Sequence, residues 1–272
     1  MAITTLDGAI AGMKPPVCFI KNGITMEGVG QWYSPFYAAG NPGAAAAPAS
    51  GMGGGALTSY AGQIAIPAAS GNTHLARLWA QSNFAGTLLL CDRLWHQSGI
   101  AVTTTTGQTV NSAAWPARDA NGSTNGVCVL VGLEVSTATT NAGANTTMTI
   151  TYTNDAGTGS KTGTVGAAVP QAFPATATVG TFVPFALAAG DTGVRSVQTV
   201  TLAASLGAGA VHLVAFRILA QVACPSANVG GAEDIVSLGM PRLYDTTVPF
   251  LIWIPSAVTA AQIHGGVVYT QG

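Results

Sequence analysis

The clearest pattern along the chain lies between Gly190 and Cys224. Val200, Leu202 and Ala204 fall on one face of an extended stretch, with Thr199 and Thr201 on the other. Beyond the glycine-rich turn at Gly207–Gly209, Val211, Leu213, Ala215 and Leu219 alternate with Val214, Phe216, Ile218, Ala220 and Val222. Period-two alternation predicts a half-buried first strand, and apolar residues on both faces predict a central second one. The stretch is expected to form a hairpin.

Similar alternation recurs elsewhere. Val17–Ile20 and Gly23–Met26 are short apolar pieces among Gly and Pro, read as short strands or an extended arm. Strands are expected at Ile64–Ile66, His74–Ala80, Thr87–Trp95, the Thr-rich Ala101–Val110 and Val127–Val135. In the last of these, Val127, Val129, Val131, Leu133 and Val135 point inward and Glu134 and Ser136 outward. Met148, Ile150 and Tyr152 oppose Thr147, Thr149, Thr151 and Thr153, and a turn at 154–161 follows. Further strands are expected at Thr162–Val165, Thr181–Leu187, Phe250–Ile254 and Ile263–Tyr269, with a helical turn at Ile235–Leu238. Residues 115–125 read as a loop dense in turn formers.

Strands separated by turn clusters, with almost no helical period, predict an all-β fold: an antiparallel β-sandwich, jelly-roll or Ig-like. Residues 1–62 are expected as an extended N-terminal arm and Gly/Ala-rich segment, and 63–272 as the sandwich domain. The uncharged tract at 38–57 would be a flexible linker on its own. Order there is expected to come from something lying against it, most simply a neighbouring subunit.

Composition narrows the kind of protein. Charged residues are 7% of the chain, against roughly 25% in ordinary soluble domains. The formal net charge is -1, the hydrophobic fraction 48%, and there are 35 Gly. Disordered chains are charged and poor in hydrophobics, which this is not. So weakly charged a monomer tends to associate, and a surface largely occupied by neighbours is expected. The lysines are Lys14, Lys21 and Lys161 alone, which argues against nucleic-acid binding, where clustered Lys and Arg neutralise phosphates. No window carries the roughly 18 uninterrupted apolar residues of a membrane helix. The opening residues lack the basic-then-apolar order of a secretory signal.

Candidate chemistry is sparse. Asp191–Gly193 spells the aspartic-protease tripeptide, but Val194 follows and no second copy exists, so a turn opening a strand is the better reading. Cys91, Asp92 and His96 lie close in sequence, yet strict strand alternation points His96 and Asp92 away from Cys91; Asp92 and Arg93 are expected in intersubunit or cross-strand ion pairs. His74, His96, His212 and His264 are too scattered for a metal site, and Cys18, Cys91, Cys128 and Cys224 show no pairing signature. Cys128 is expected to be a buried free thiol. Glu134 and Arg217 sit in apolar strands and should pair within the sheet or face a partner. The glycines of 51–55 lack a phosphate-loop context, and Glu233–Asp234 reads as a solvated loop. No cofactor, metal or catalytic residue is expected. The aromatic group Trp32, Tyr33, Phe36 and Tyr37, with Trp115 and Arg118 of the later loop, are the candidate interface residues, anchors of a core or of a partner surface.

Residues 86–100, 114–136, 189–202, 240–256 and the closing Val268–Gly272 together resemble virion structural proteins of tailed double-stranded-DNA bacteriophages. The resemblance spans about residues 70–272 and is one of phrasing, with no functional motif. It implies a component of an assembled particle and supplies no catalytic residues. The expected role is a capsid decoration or cement protein, a homo-oligomer (a trimer) bridging the major capsid protein or other virion proteins, assembled in the bacterial cytoplasm. The alternatives are a tail-associated protein (adaptor, tube-associated or fibre base) and a receptor- or glycan-binding module using the Trp32–Tyr37 aromatics or the 114–125 loop.

Overall fold

The apolar run ending at Cys224 becomes the longest strand, and its principal partner is the run through Leu88–Cys91, not the stretch that precedes it in sequence. The computed structural model describes residues 3–272 apart from 50, 52, 69, 113 and 167–169. In chain order it contains helix α1 (Leu6–Ala11), β1 (Val17–Ile24), β2 (Trp32–Tyr33), a 3-10 turn (Pro35–Tyr37), β3 (Ala39–Asn41) and β4 (Gly55–Ala56). Next come β5 (Thr73–Ser82), β6 (Gly86–Gln97), β7 (Gln108–Thr109), β8 (Leu130–Thr137), β9 (Thr149–Asn154), β10 (Lys161–Thr164) and β11 (Thr181–Pro184). The chain closes with β12 (Val194–Thr201), β13 (Ala210–Cys224), β14 (Gly231–Glu233), α2 (Ile235–Leu238), β15 (Arg242–Leu243), β16 (Pro249–Pro255) and β17 (Ala261–Gln271).

The fold is all-β, antiparallel and sandwich-like, with its layers built around a barrel. Strands β13, β8, β11, β2, β16 and β6 pair in that order, and β6 pairs back onto β13, closing the ring; β4 adds to β6 outside it. On one side lies the sheet β10-β9-β12-β7, on the other β14-β5-β17-β1-β3 with β15 beside β5. Each interface has its own apolar layer. Val131, Leu133, Leu213 and Trp95 of the barrel meet Ile150, Tyr152, Val197 and Val200 of the four-stranded sheet. Leu88, Leu90, Val222 and Trp253 meet Phe19, Leu78, Ile263 and Tyr269 of the other. The barrel interior holds Leu89, Cys91, Phe182, Val214, Phe216, Phe250 and Ile252, and is filled by side chains as small barrels are. Close packing there depends on Gly132, whose Cβ would lie 2.3 Å from the Phe182 ring.

Several expectations are corrected. β12 and β13 form where alternation placed them but do not pair: β12 joins β9 and β7, while β13 joins β8 and β6. Residues 1–62 are not a detached arm. β1 lies between β17 and β3, and β2 completes the barrel. The 38–57 tract, of which positions 50 and 52 lie outside the described residues, is laid against its own chain: buried Lys21 donates to Ala38 O (3.2 Å) and Gly43 O (3.3 Å), Tyr60 Oη donates to Ala46 O (3.0 Å), and Leu57 N donates to Leu94 O (2.8 Å). Most of Ala101–Val110 is not strand, because the Gln108 amide folds back onto the Ala101 backbone through bonds of 2.7 and 3.0 Å. Ile64–Ile66 is irregular, held by Ile64 N donating to Pro249 O at 3.0 Å. Cys128 is exposed at a positive φ of 58°, before β8 begins at Leu130. Ile235–Leu238 is helical, capped by the Asp234 carboxylate.

Candidate functional site

The densest convergence of polar groups lies at one end of the barrel. Arg93 on β6 and Glu134 on β8 both point inward and form an ion pair of 2.7 Å with neither side chain exposed. The pairing that aligns Arg93 with Phe216 skips Leu94, so a β-bulge breaks the alternation of β6 at Leu94–Trp95. Leu94 and Trp95 both join the outer layer, and His96 turns to the side of Arg93, whose Nε donates to His96 Nδ1 at 3.4 Å. Strict alternation predicted the opposite direction for His96. The bulge explains the difference.

The cluster is roofed by residues of the first quarter of the chain. Tyr37 Oη donates to Glu134 Oε2 at 2.9 Å. Phe36 stacks on Tyr60 at 5.7 Å between ring centroids, and the Arg93 guanidinium sits 5.0 Å from the Phe36 centroid and 5.6 Å from that of Phe250. Tyr60 also meets His96 edge-on at 5.0 Å. Across the barrel end, His212 Nε2 hydrogen-bonds the Ser136 hydroxyl. Burial, with Arg93 adding to it, pushes His96 down to about 3, and burial pushes His212 down to about 4. Both imidazoles are therefore neutral at pH 7. Burial alone would raise the Glu134 carboxyl, but Arg93 outweighs it and holds Glu134 ionised.

A second ion pair lies next along β6, directed away from Arg93. Arg118 donates to Asp92 twice, Nε to Oδ2 at 3.0 Å and Nη2 to Oδ1 at 3.1 Å, and its remaining donors reach Leu57 O, Arg93 O and Thr246 Oγ1. The loop that delivers Arg118 is wound on Asp119. Burial opposes ionisation of that carboxyl, but bonds from the Asn121, Ser123, Gly126 and Val127 amides and the Ser123 hydroxyl lower its pKa. Arg217, opposite Asp92 in register, donates to Arg242 O at 2.9 Å.

The expected interface residues therefore face inward. Tyr33, Phe36, Trp115 and Arg118 are buried within the chain, and Trp32 and Tyr37 are half-buried. Trp32 meets Phe216 edge-on, Tyr33 Oη donates to Glu27 Oε2 at 2.7 Å, and Trp115 Nε1 donates to Val194 O at 2.6 Å. Tyr33, Phe36, Trp115 and Arg118 act as core anchors, while Trp32 and Tyr37 keep part of their surface accessible. Arg93 pairs with a residue of another strand of the same chain, one of its two expected uses, while Asp92 pairs with Arg118 of the 115–125 loop. Asp191 sits at a turn and accepts from Tyr152 Oη (2.6 Å) and Asn154 (2.8 Å). Among the described residues no group of His, Cys, Asp and Glu could hold a metal ion, and no helix is long and apolar enough to cross a membrane.

No family model and no curated protein matches the chain. Similar solved structures come from infectious bursal disease virus. The VP2 subviral particle is 11% identical over 96% of this chain and 81% of that one, with a TM-score of 0.21. Structures of the Gt and Gx strains are 11% and 10% identical, each over 95% of this chain and over 82% and 81% of theirs, both at a TM-score of 0.20. Likeness at that level leaves both architecture and function to rest on the chain's own geometry.

Proposed function

We propose that the protein is a structural component of a virion, a capsid decoration or cement protein that assembles with copies of itself and bridges subunits of the shell. One observation carries this reading: large aliphatic side chains stand outside at one end of the molecule, while the closest ion pairs are sealed within. Leu6, Ile10 and Met13 on and beside α1 are 56%, 54% and 41% exposed, and Val236 on α2 is 78% exposed. Leu6 and Val236 share a groove of about 300 Å³ with Ile235 and Met240, so the two helices present one apolar pole. The Arg93–Glu134 and Arg118–Asp92 pairs, by contrast, are out of reach of any substrate. A nearly uncharged chain with such a pole gains by covering it, and symmetric assembly repeats the gain at every copy.

The test is copy number. Gel densitometry of purified particles carrying this chain should give on the order of hundreds of copies per particle, as a symmetric shell requires. Heads stripped of it should break at lower temperature than complete ones. A few copies per particle would favour a tail-associated position, and stripped heads as heat-resistant as intact ones would end the cement reading.

A further inference from the structure

The face of β14-β5-β17-β1-β3 turned away from the barrel carries a groove of about 360 Å³. Register lays two rows of side chains across it. Ile20 pairs with His264 and His264 with Gln81; in the next row Cys18 pairs with Gly266 and Gly266 with Trp79. Gly266 makes the second row possible. A Cβ there would lie 2.3 Å from the six-membered ring of Trp79, so the indole lies down against the β17 backbone and is fixed in place. The Arg77 guanidinium flanks it, 5.6 Å from the ring. Cys18, Ile20 and Gln81 are exposed, Trp79 and His264 half-buried. Among the described residues the side chains of Gln81 and His264 have no hydrogen-bond partner. No carboxylate or ammonium group lines the groove.

We propose that this groove binds a neutral saccharide, one pyranose ring packing its C–H face against Trp79 while its hydroxyls bond to His264 and Gln81. An indole offers a large apolar surface, and an amide and an imidazole each present both a donor and an acceptor, as a ring of hydroxyls requires. A wholly apolar ligand would bury both polar side chains unpaired, a cost that a polyhydroxylated ring avoids. The groove lining itself holds no Lys, Arg, Asp or Glu to pair with a charged ligand; Arg77 stands beside the indole, outside that lining, and can donate to a hydroxyl. The volume lies near the lower end of the roughly 300–1,000 Å³ range of small-ligand sites, enough for a short glycan segment. The proposal needs only the folded chain and is independent of the virion reading.

Galactose, glucose, N-acetylglucosamine and their short oligomers, titrated into the purified full chain and followed by backbone amide NMR, test it. Saturable shifts centred on residues 18–20, 79–81 and 264–266 are expected, with a Kd in the roughly millimolar range. His264→Ala and Gln81→Ala should each weaken binding about fivefold to tenfold. Because both side chains lack partners within the chain, their melting temperatures should not move. Trp79→Ala should abolish binding and Trp79→Phe retain part of it. Absence of saturable shifts with every sugar, shifts elsewhere, or binding that survives the His264→Ala/Gln81→Ala double variant would overturn the proposal, as would saturation of the groove by a peptide and not by sugars.

Discussion

At the scale of single residues the most consequential feature is that the barrel end is charged yet buried. Arg93 and Glu134 must answer each other, because removing one partner of such a pair leaves a buried charge at a cost of about 3–5 kcal/mol. His96 and His212 are the pH-sensitive members. Both pKa values are depressed on folding by burial, to about 3 for His96, where Arg93 adds to the shift, and to about 4 for His212. From the ordinary imidazole value of 6.5 downwards, the unfolded chain therefore binds protons that the folded chain refuses, and stability falls as pH falls, by up to about 1.4 kcal/mol per pH unit for each imidazole. Glu134, also depressed, adds to the loss below its unfolded value of 4.5. Urea unfolding at pH 7, 6 and 5 should show the midpoint dropping at each step, and His96→Gln with His212→Gln should flatten the profile. A midpoint unchanged between pH 7 and pH 5 would mean that these rings ionise freely in the folded protein. Sequence alternation identified Glu134 and Arg217 as the charges to watch, but it could not pair Glu134 with Arg93. A bulge depends on the partner strand, and nothing local in residues 91–96 announces one.

At the scale of elements, the positions of the long strands were legible because side-chain alternation is a local property of an extended chain. Pairing was not. Gly207 and Gly209, both at positive φ, look like a hairpin turn, yet the backbone there folds against residues 137–140, with Gly207 in line with Thr140 and Gly209 with the carbonyls of Thr137 and Ala138. The chain thus crosses from the four-stranded sheet into the barrel. The short pieces at 17–41 gave equally little warning of their importance. Each buries few residues by itself, and what makes β1 and β2 indispensable is contributed by partners more than 140 residues away, Tyr33 being flanked by Thr181 and Trp253 and Phe19 by Gly265. Deleting residues 1–62 would open the barrel at β2 and expose Phe19's layer along β17. The truncated chain should lack a cooperative melting transition and the sharp near-ultraviolet circular dichroism of packed tryptophans. A truncation that still melted cooperatively would restore the picture of a separable arm.

At the scale of the whole molecule, composition was the informative signal, and the exposed aliphatic side chains are in keeping with it. Seven per cent charge leaves little repulsion between copies. Trp95, Trp115 and Trp253 are fully buried, and the large hydrophobic side chains left most exposed are mostly aliphatic, Leu6, Ile10 and Val236 among them. Of the aromatic residues expected to anchor a core or a partner surface, Tyr33, Phe36 and Trp115 are buried and Trp32 and Tyr37 half-buried, and the aliphatic ones beside Gly12 and Gly239 that looked unremarkable are exposed. Sequence cannot separate these cases when nearly every segment is apolar, because burial is then decided by which surfaces the barrel happens to cover. If the pole formed by α1 and α2 is the self-association surface, charge placed there should undo it without touching the core. Leu6→Glu and Val236→Glu replace side chains that are 56% and 78% exposed, so each should alter folding stability by no more than about 0.5 kcal/mol. Sedimentation velocity of the wild-type chain should show oligomer that grows with concentration, and the double variant should sediment as a monomer at every concentration with an unchanged melting transition. An oligomer that survives both charges would move the contact away from this pole, and a wild-type chain that stays monomeric would remove self-assembly from the proposed function.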